Sequence, residues 1–145
     1  MAYYTSETCG YVNGNYVNTG CTTDYEQSEI KYVVDAWKTA KAPAATEVRL
    51  ISKDEIETER KEYDCCGGCG QCIDTGDIAK YDWIYNNNYW YWTNTPYTDS
   101  SSSVWFVGNN GALGSSSVNF HSSSYGGVVR PVITISKSVV SNTGN

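Results

Sequence analysis

Residues 83–135 read WIYNNNYWYWTNTPYTDSSSSVWFVGNNGALGSSSVNFHSSSYGGVVRPVITI, and the interpretation of this stretch decides the fold. From Trp83 through Val129 it carries one charged residue, Asp99; almost all the rest is aromatic, Ser, Asn, Thr, Gly or aliphatic. Two physical readings compete. One is a disordered low-complexity segment, because Ser, Asn and Gly cannot bury enough apolar area to offset chain entropy. The other is a binding surface of the antibody kind, in which Tyr and Trp supply rigid contact area and Ser, Asn and Gly adapt their hydrogen bonds. Apolar clustering favours the ordered reading. Val104-Trp105-Phe106-Val107 is a compact run bounded by Ser and by Gly108-Asn109-Asn110-Gly111. Tyr89-Trp90-Tyr91-Trp92-Thr93 is aromatic, and the segment from Val128 to Ile135 is β-branched and alternating. These are strands separated by turns. Four Trp residues here (Trp83, Trp90, Trp92, Trp105) point to a core.

The chain of 145 residues fits one domain spanning 1–145, with a helix-rich half over 28–82 and a display half over 83–137. A net charge of −6 gives no electrostatic footprint for nucleic acid or for an anionic membrane surface. No apolar run approaches the roughly 20 residues of a membrane span, so no direct membrane insertion is expected. No signal-peptide pattern opens the chain. Six Cys residues and few Lys residues suit an extracellular or cell-surface protein, with any export signal or anchor outside this sequence.

Asn13-Gly14, flanked by Tyr11-Val12 and Tyr16-Val17, predicts a β-hairpin, and Cys9 and Cys21 bracket it. From Ser28 to Lys41, Ile30, Val33, Val34 and Trp37 fall on one helical face. Ser28 is the expected N-cap, Glu29 and Lys38/Lys41 complement the dipole, and Pro43 stops the helix. Glu47–Ile51 reads as a strand. Ser52-Lys53-Asp54-Glu55 reads as a capping box opening a second, mostly charged helix to about Lys61. Its acidic residues are read as a solvated face rather than as a metal or acid–base site.

Cys65, Cys66, Cys69 and Cys72 lie in one Cys-Gly loop. Together with Cys9 and Cys21 they form the even count of a disulfide framework, the first reading. A zinc site on Cys65, Cys66, Cys69 and Cys72 is the second, since thiolate sites favour short spacings. Against zinc, the spacings share one segment and the Cys9–Cys21 pair would need a separate role. The expectation is therefore six disulfide cysteines, no metal and no cofactor.

Tyr91-Trp92-Thr93-Asn94-Thr95-Pro96, Val104–Val107, Asn110-Gly111 and Gly127-Val128-Val129-Arg130-Pro131-Val132-Ile133 follow in an ordered pattern. With Ile30–Trp37 and Val48–Ile51 upstream, it resembles the C-type-lectin-like domains of bacterial and phage surface proteins of the gut Firmicutes type, some joined to pilin-like anchors. The likeness covers residues 28–137 approximately. It implies an α+β, C-type-lectin-like fold: two helices packed on a small antiparallel sheet, paired terminal strands and a long loop-rich C-terminal half. It makes Trp92, Trp105, Val107, Val129 and Val132 core. Some members of this fold class are hypervariable products of diversity-generating retroelements, whose mutagenesis converts Asn codons towards Tyr, Ser, Asp and His. Asn86–Asn88, Asp99, Ser100–Ser103, Ser115–Ser117, Asn119 and His121–Tyr125 show that palette. The motifs of calcium-dependent sugar binding are absent: Pro96 sits in Thr-Pro-Tyr, and no Trp-Asn-Asp occurs.

The expected function is an extracellular ligand-binding display domain whose Tyr/Ser/Asn-rich loops recognise a protein or glycan on another cell, a phage host or a surface. The expected ligand-binding residues are Asn94, Tyr97, Asp99, Ser101, Asn109, Ser115, Asn119, His121, Ser123 and Tyr125. Tyr97 and Tyr125 are the aromatic anchors, since buried Tyr and Trp dominate interfaces. Trp90 and Phe120 are candidates for an oligomer contact or a further ligand surface. No catalytic residues are assigned. Ser123, His121 and Asp99 can be grouped as a triad only on paper, without a nucleophile elbow or oxyanion loop. The copper-binding Cys pair of the fold-related formylglycine-generating enzymes has no counterpart after Cys72. The alternative function is a structural pilus or surface-filament subunit without a specific ligand.

Overall fold

The structure is a computed structural model that describes residues 1–4, 6–59, 63–64, 71–72, 89–109, 111–119 and 127–137. Its elements run β1 (Gly10–Val12), β2 (Asn15–Val17), a 3-10 turn (Tyr25–Gln27), α1 (Glu29–Lys41), β3 (Glu47–Leu50), α2 (Lys53–Glu59), β4 (Tyr63–Asp64), β5 (Gln71–Cys72), β6 (Tyr91–Pro96), β7 (Ser103–Val107), β8 (Leu113–Ser117) and β9 (Pro131–Thr134). It is mixed α and β, with two α-helices and small antiparallel sheets among the described residues.

The β1–β2 hairpin forms where Asn13-Gly14 predicts it. Asn13 (φ 50°) and Gly14 (φ 81°) both take positive φ, as a two-residue primed turn requires. A Cys9–Cys21 disulfide closes the unit. The Ser28 hydroxyl caps α1 by accepting from Lys31 N–H at 3.0 Å. Ile30 and Val34 are buried, but Trp37 is 37% exposed, so it sits at the margin of the stripe rather than in the core. The capping box of α2 is reciprocal: Glu55 N–H donates to Ser52 Oγ at 3.2 Å, and Ser52 N–H donates to Glu55 Oε2 at 2.8 Å. The expected end of this helix at Lys61 lies outside the described residues.

β6, β7 and β8 form a three-stranded antiparallel sheet. Register pairs Trp92 with Phe106 and Phe106 with Gly114 on one face, and Tyr91 with Val107 and Val107 with Leu113 on the other. Each face has its own core. Trp92, Val104, Val118, Tyr3, Ile30, Val34, Val48 and Leu50 fill one; Ile51, Ile56, Tyr91 and Val107 fill the other. The late strand β9 pairs antiparallel with β3, Val48 opposite Ile133. Among the described residues β1 pairs with β2, so the strand that meets the C-terminal strand is β3 and not the first of the chain. A parallel bridge joins Tyr91 to Val128, with Val128 N–H donating to Trp90 O at 2.9 Å.

The N-terminal residues are core, which no periodicity announces. Tyr3 is fully buried edge-on to Trp92 with ring centroids 5.7 Å apart. Tyr3 and Tyr4 N–H both donate to Val118 O, at 2.8 and 2.9 Å. Trp92 Nε1 donates to Met1 O at 3.1 Å. Burial pushes the Tyr3 phenol well above its ordinary range. No membrane-spanning helix occurs among the described residues.

Candidate functional site

Phe106 on β7 and Trp90 just before β6 meet edge to face, with centroids 5.3 Å apart and planes at 63°. Trp90 also stands on Trp92 at 4.9 Å and 82°. Together Trp90 and Phe106 form the corner of a cavity of about 320 Å³ lined by Gly108, Asn109, Ser115 and Ser116. Glycines set both rings. A Cβ on Gly127 would lie 2.5 Å from the Trp90 ring, and one on Gly114 would lie 2.8 Å from Phe106. The loop that carries Asn109 is closed by Gly108 N–H donating to Ala112 O at 2.7 Å, and Gly111 takes φ 81° there. Asn109 is exposed and Ser116 half-buried. The side chains of Asn109, Ser115 and Ser116 make no hydrogen bond within the described residues.

A second aromatic surface lies on the opposite sheet face, because Trp105 alternates with Phe106 along β7. Tyr97 packs edge-on to Trp105 at 4.9 Å and 76°. Lys53 Nζ sits 5.2 Å from the Trp105 ring centroid and pairs with Glu57 at 2.6 Å. Trp105 is thus half-buried beneath a cation rather than enclosed in the core. The neighbouring Asp99 carboxylate raises the pKa of the Tyr97 phenol, as an acceptor and as a charge that favour the protonated form.

The structure separates the expected ligand residues. Asn109 and Ser115 line the cavity. Tyr97, Asp99 and Ser101 belong to the turn between β6 and β7, where Tyr97 N–H donates to Ser103 O at 2.9 Å and Ser100 N–H donates to Tyr97 O at 3.3 Å. Asn94 faces a polar groove with Lys31, Lys38, Glu47 and Arg49, and its N–H donates to Ile51 O at 3.1 Å. Asn119 is buried. It accepts from Tyr16 OH at 3.3 Å and lies 3.8 Å from Cys21 Sγ, tying the end of β8 to the disulfide hairpin. His121, Ser123, Tyr125, Phe120, Trp83, Cys65, Cys66 and Cys69 lie outside the described residues, and the Cys72 side chain does too. Of the core assigned by resemblance, Trp92 and Val107 are fully buried, and Val129 and Val132 are half-buried against the two cores.

Among the described residues no three His, Cys, Asp or Glu side chains gather as a metal site. A family profile described as Domain of unknown function (DUF6273) matches residues 1–137. The chain belongs to that family. No curated protein and no solved structure matches it. In this DUF6273 domain the residues that sequence reasoning did not name as ligand-binding are Phe106, Ser116 and Gly108 at the cavity and Lys53 over Trp105. The available signal was Gly114 and Gly127, placed where a ring needs a neighbour without a Cβ.

Proposed function

We propose that this DUF6273 domain is an extracellular ligand-binding display domain, built on a C-type-lectin-like plan, that recognises a protein or glycan through its aromatic and Ser/Asn-rich surfaces. The observation that carries the reading is the Trp90–Phe106 cavity. It is a concave aromatic corner with a few uncharged polar side chains that have no hydrogen-bond partner among the described residues, the usual make-up of a ligand site. Tyr97 on Trp105, beside Asp99, supplies a second anchor of the type that dominates interfaces. Two helices and small antiparallel sheets among the described residues support the lectin-like plan. Diversification by a retroelement belongs to the same proposal. Sequencing related loci tests it: Asp99, Ser101 and Ser115 vary far more than Trp92, and equal variation discards it.

One observation favours a structural filament subunit instead. Ile133 and Ile135, on and just after β9, are 44% and 48% exposed. Tyr97→Ala separates the two readings. Loss of target adhesion with an unchanged melting curve supports ligand display; retained adhesion with lost filament assembly supports the structural role.

A further inference from the structure

We propose that the Trp90–Phe106 cavity is a calcium-independent subsite for a single neutral pyranose ring, an inference that rests on the ligand-display reading and names its ligand. Size is the first argument. About 320 Å³ is at the low end of the ~300–1,000 Å³ spanned by ligand pockets, which suits one ring and not a peptide segment. Ring chemistry is the second. A pyranose has a face of C–H groups and a rim of hydroxyls. The C–H face matches an aromatic wall, and the corner at 63° offers a ring face and a ring edge together.

The rim is the third argument. Asn109 brings an amide donor and acceptor, and Ser116, paired with Val104 on the Phe106 face of the sheet, brings a hydroxyl that does both. None of these side chains is committed within the described residues. Sugar hydroxyls would replace the water on them. A wholly apolar guest would strip that water and leave them unpaired, which is unfavourable. An ionic guest would find no charged side chain among the described lining residues to offset its desolvation. No carboxylate stands among the described lining residues to serve as a ligand for a calcium-bridged sugar. Finally, the corner is preformed. Gly127 and Gly114 lie so close under Trp90 and Phe106 that the rings have little room to retreat. A ligand therefore orders few side chains on entry.

The test is a titration of the full chain with the methyl glycosides of glucose, galactose, mannose and N-acetylglucosamine. It is read by tryptophan fluorescence and by amide chemical shifts in the presence of EDTA, with indole as the apolar probe. The expected result is saturable millimolar binding of at least one glycoside, with shifts at Asn109 and Ser116. Asn109→Ala, at an exposed position that leaves the fold intact, weakens it roughly five-fold. Three results overturn the proposal: no glycoside saturates, indole alone binds, or Asn109→Ala leaves glycoside affinity unchanged. If no glycoside binds while Tyr97-dependent target adhesion persists, the subsite falls and ligand display stands.

Discussion

Trp92 joins parts of the chain that are distant in sequence. Fully buried, it meets Tyr3, Trp90 and Phe106 ring to ring, and its indole N–H reaches Met1 O. Trp92→Ala is expected to destabilise the fold by about 3–5 kcal/mol, the usual cost of truncating a large buried aromatic, measured by chemical denaturation. Glu55 sets a pH dependence. Its two oxygens receive Arg49 Nη1 at 2.8 Å and Nη2 at 2.6 Å, and with the Ser52 N–H bond they hold its pKa down, from 4.5 to about 2. A lowered folded-state pKa means the unfolded chain binds the proton more tightly. The contribution is therefore complete above about pH 4.5 and is lost as pH falls towards 2. Because the side chain is 41% exposed, solvent screening limits it to about 1 kcal/mol or less. Glu55→Gln should flatten the stability profile across that window; an unchanged acid slope would show that other carboxylates dominate.

At the scale of elements, local rules worked where the backbone itself carries the signal. Asn13-Gly14, the Ser28 cap and the Ser52/Glu55 box each act within four residues, so the sequence shows them directly. β8 was not legible. Leu113-Gly114-Ser115-Ser116-Ser117 has little strand propensity and is a strand because β7 pairs with it and Gly114 makes room for Phe106. The N-terminal contribution of Tyr3 was hidden for the same reason: its partners, Trp92 and Val118, are distant in sequence. Two predictions belong here. Cys9→Ser with Cys21→Ser opens a loop with a sequence separation of 12 and should lower stability by about 3 kcal/mol in denaturant titrations. Gly127→Ala forces a Cβ into the Trp90 ring and should cost about 1–3 kcal/mol, with altered tryptophan emission.

For the whole molecule, sequence composition indicated a neutral aromatic and Ser/Asn surface but not its geometry. Asn109 and Ser115 reach the cavity, whereas Asn94 and Asn119 resemble them in composition and lie elsewhere. The difference is tertiary. A buried Asn that bonds across the fold and an exposed Asn at a cavity rim look alike in one dimension. The sheet gathers the aromatic residues into two surfaces, on opposite faces, each carrying polar side chains suited to an external partner. The measurement that tests ligand display most directly is binding of the purified full chain to a mixed array of neutral glycans and surface proteins, alongside the Tyr97→Ala and Asn109→Ala variants. The account predicts saturable binding to at least one feature, weakened in at least one variant whose melting temperature is unchanged. A natively folded chain that binds nothing on the array, or binds equally well in all three forms, would contradict it.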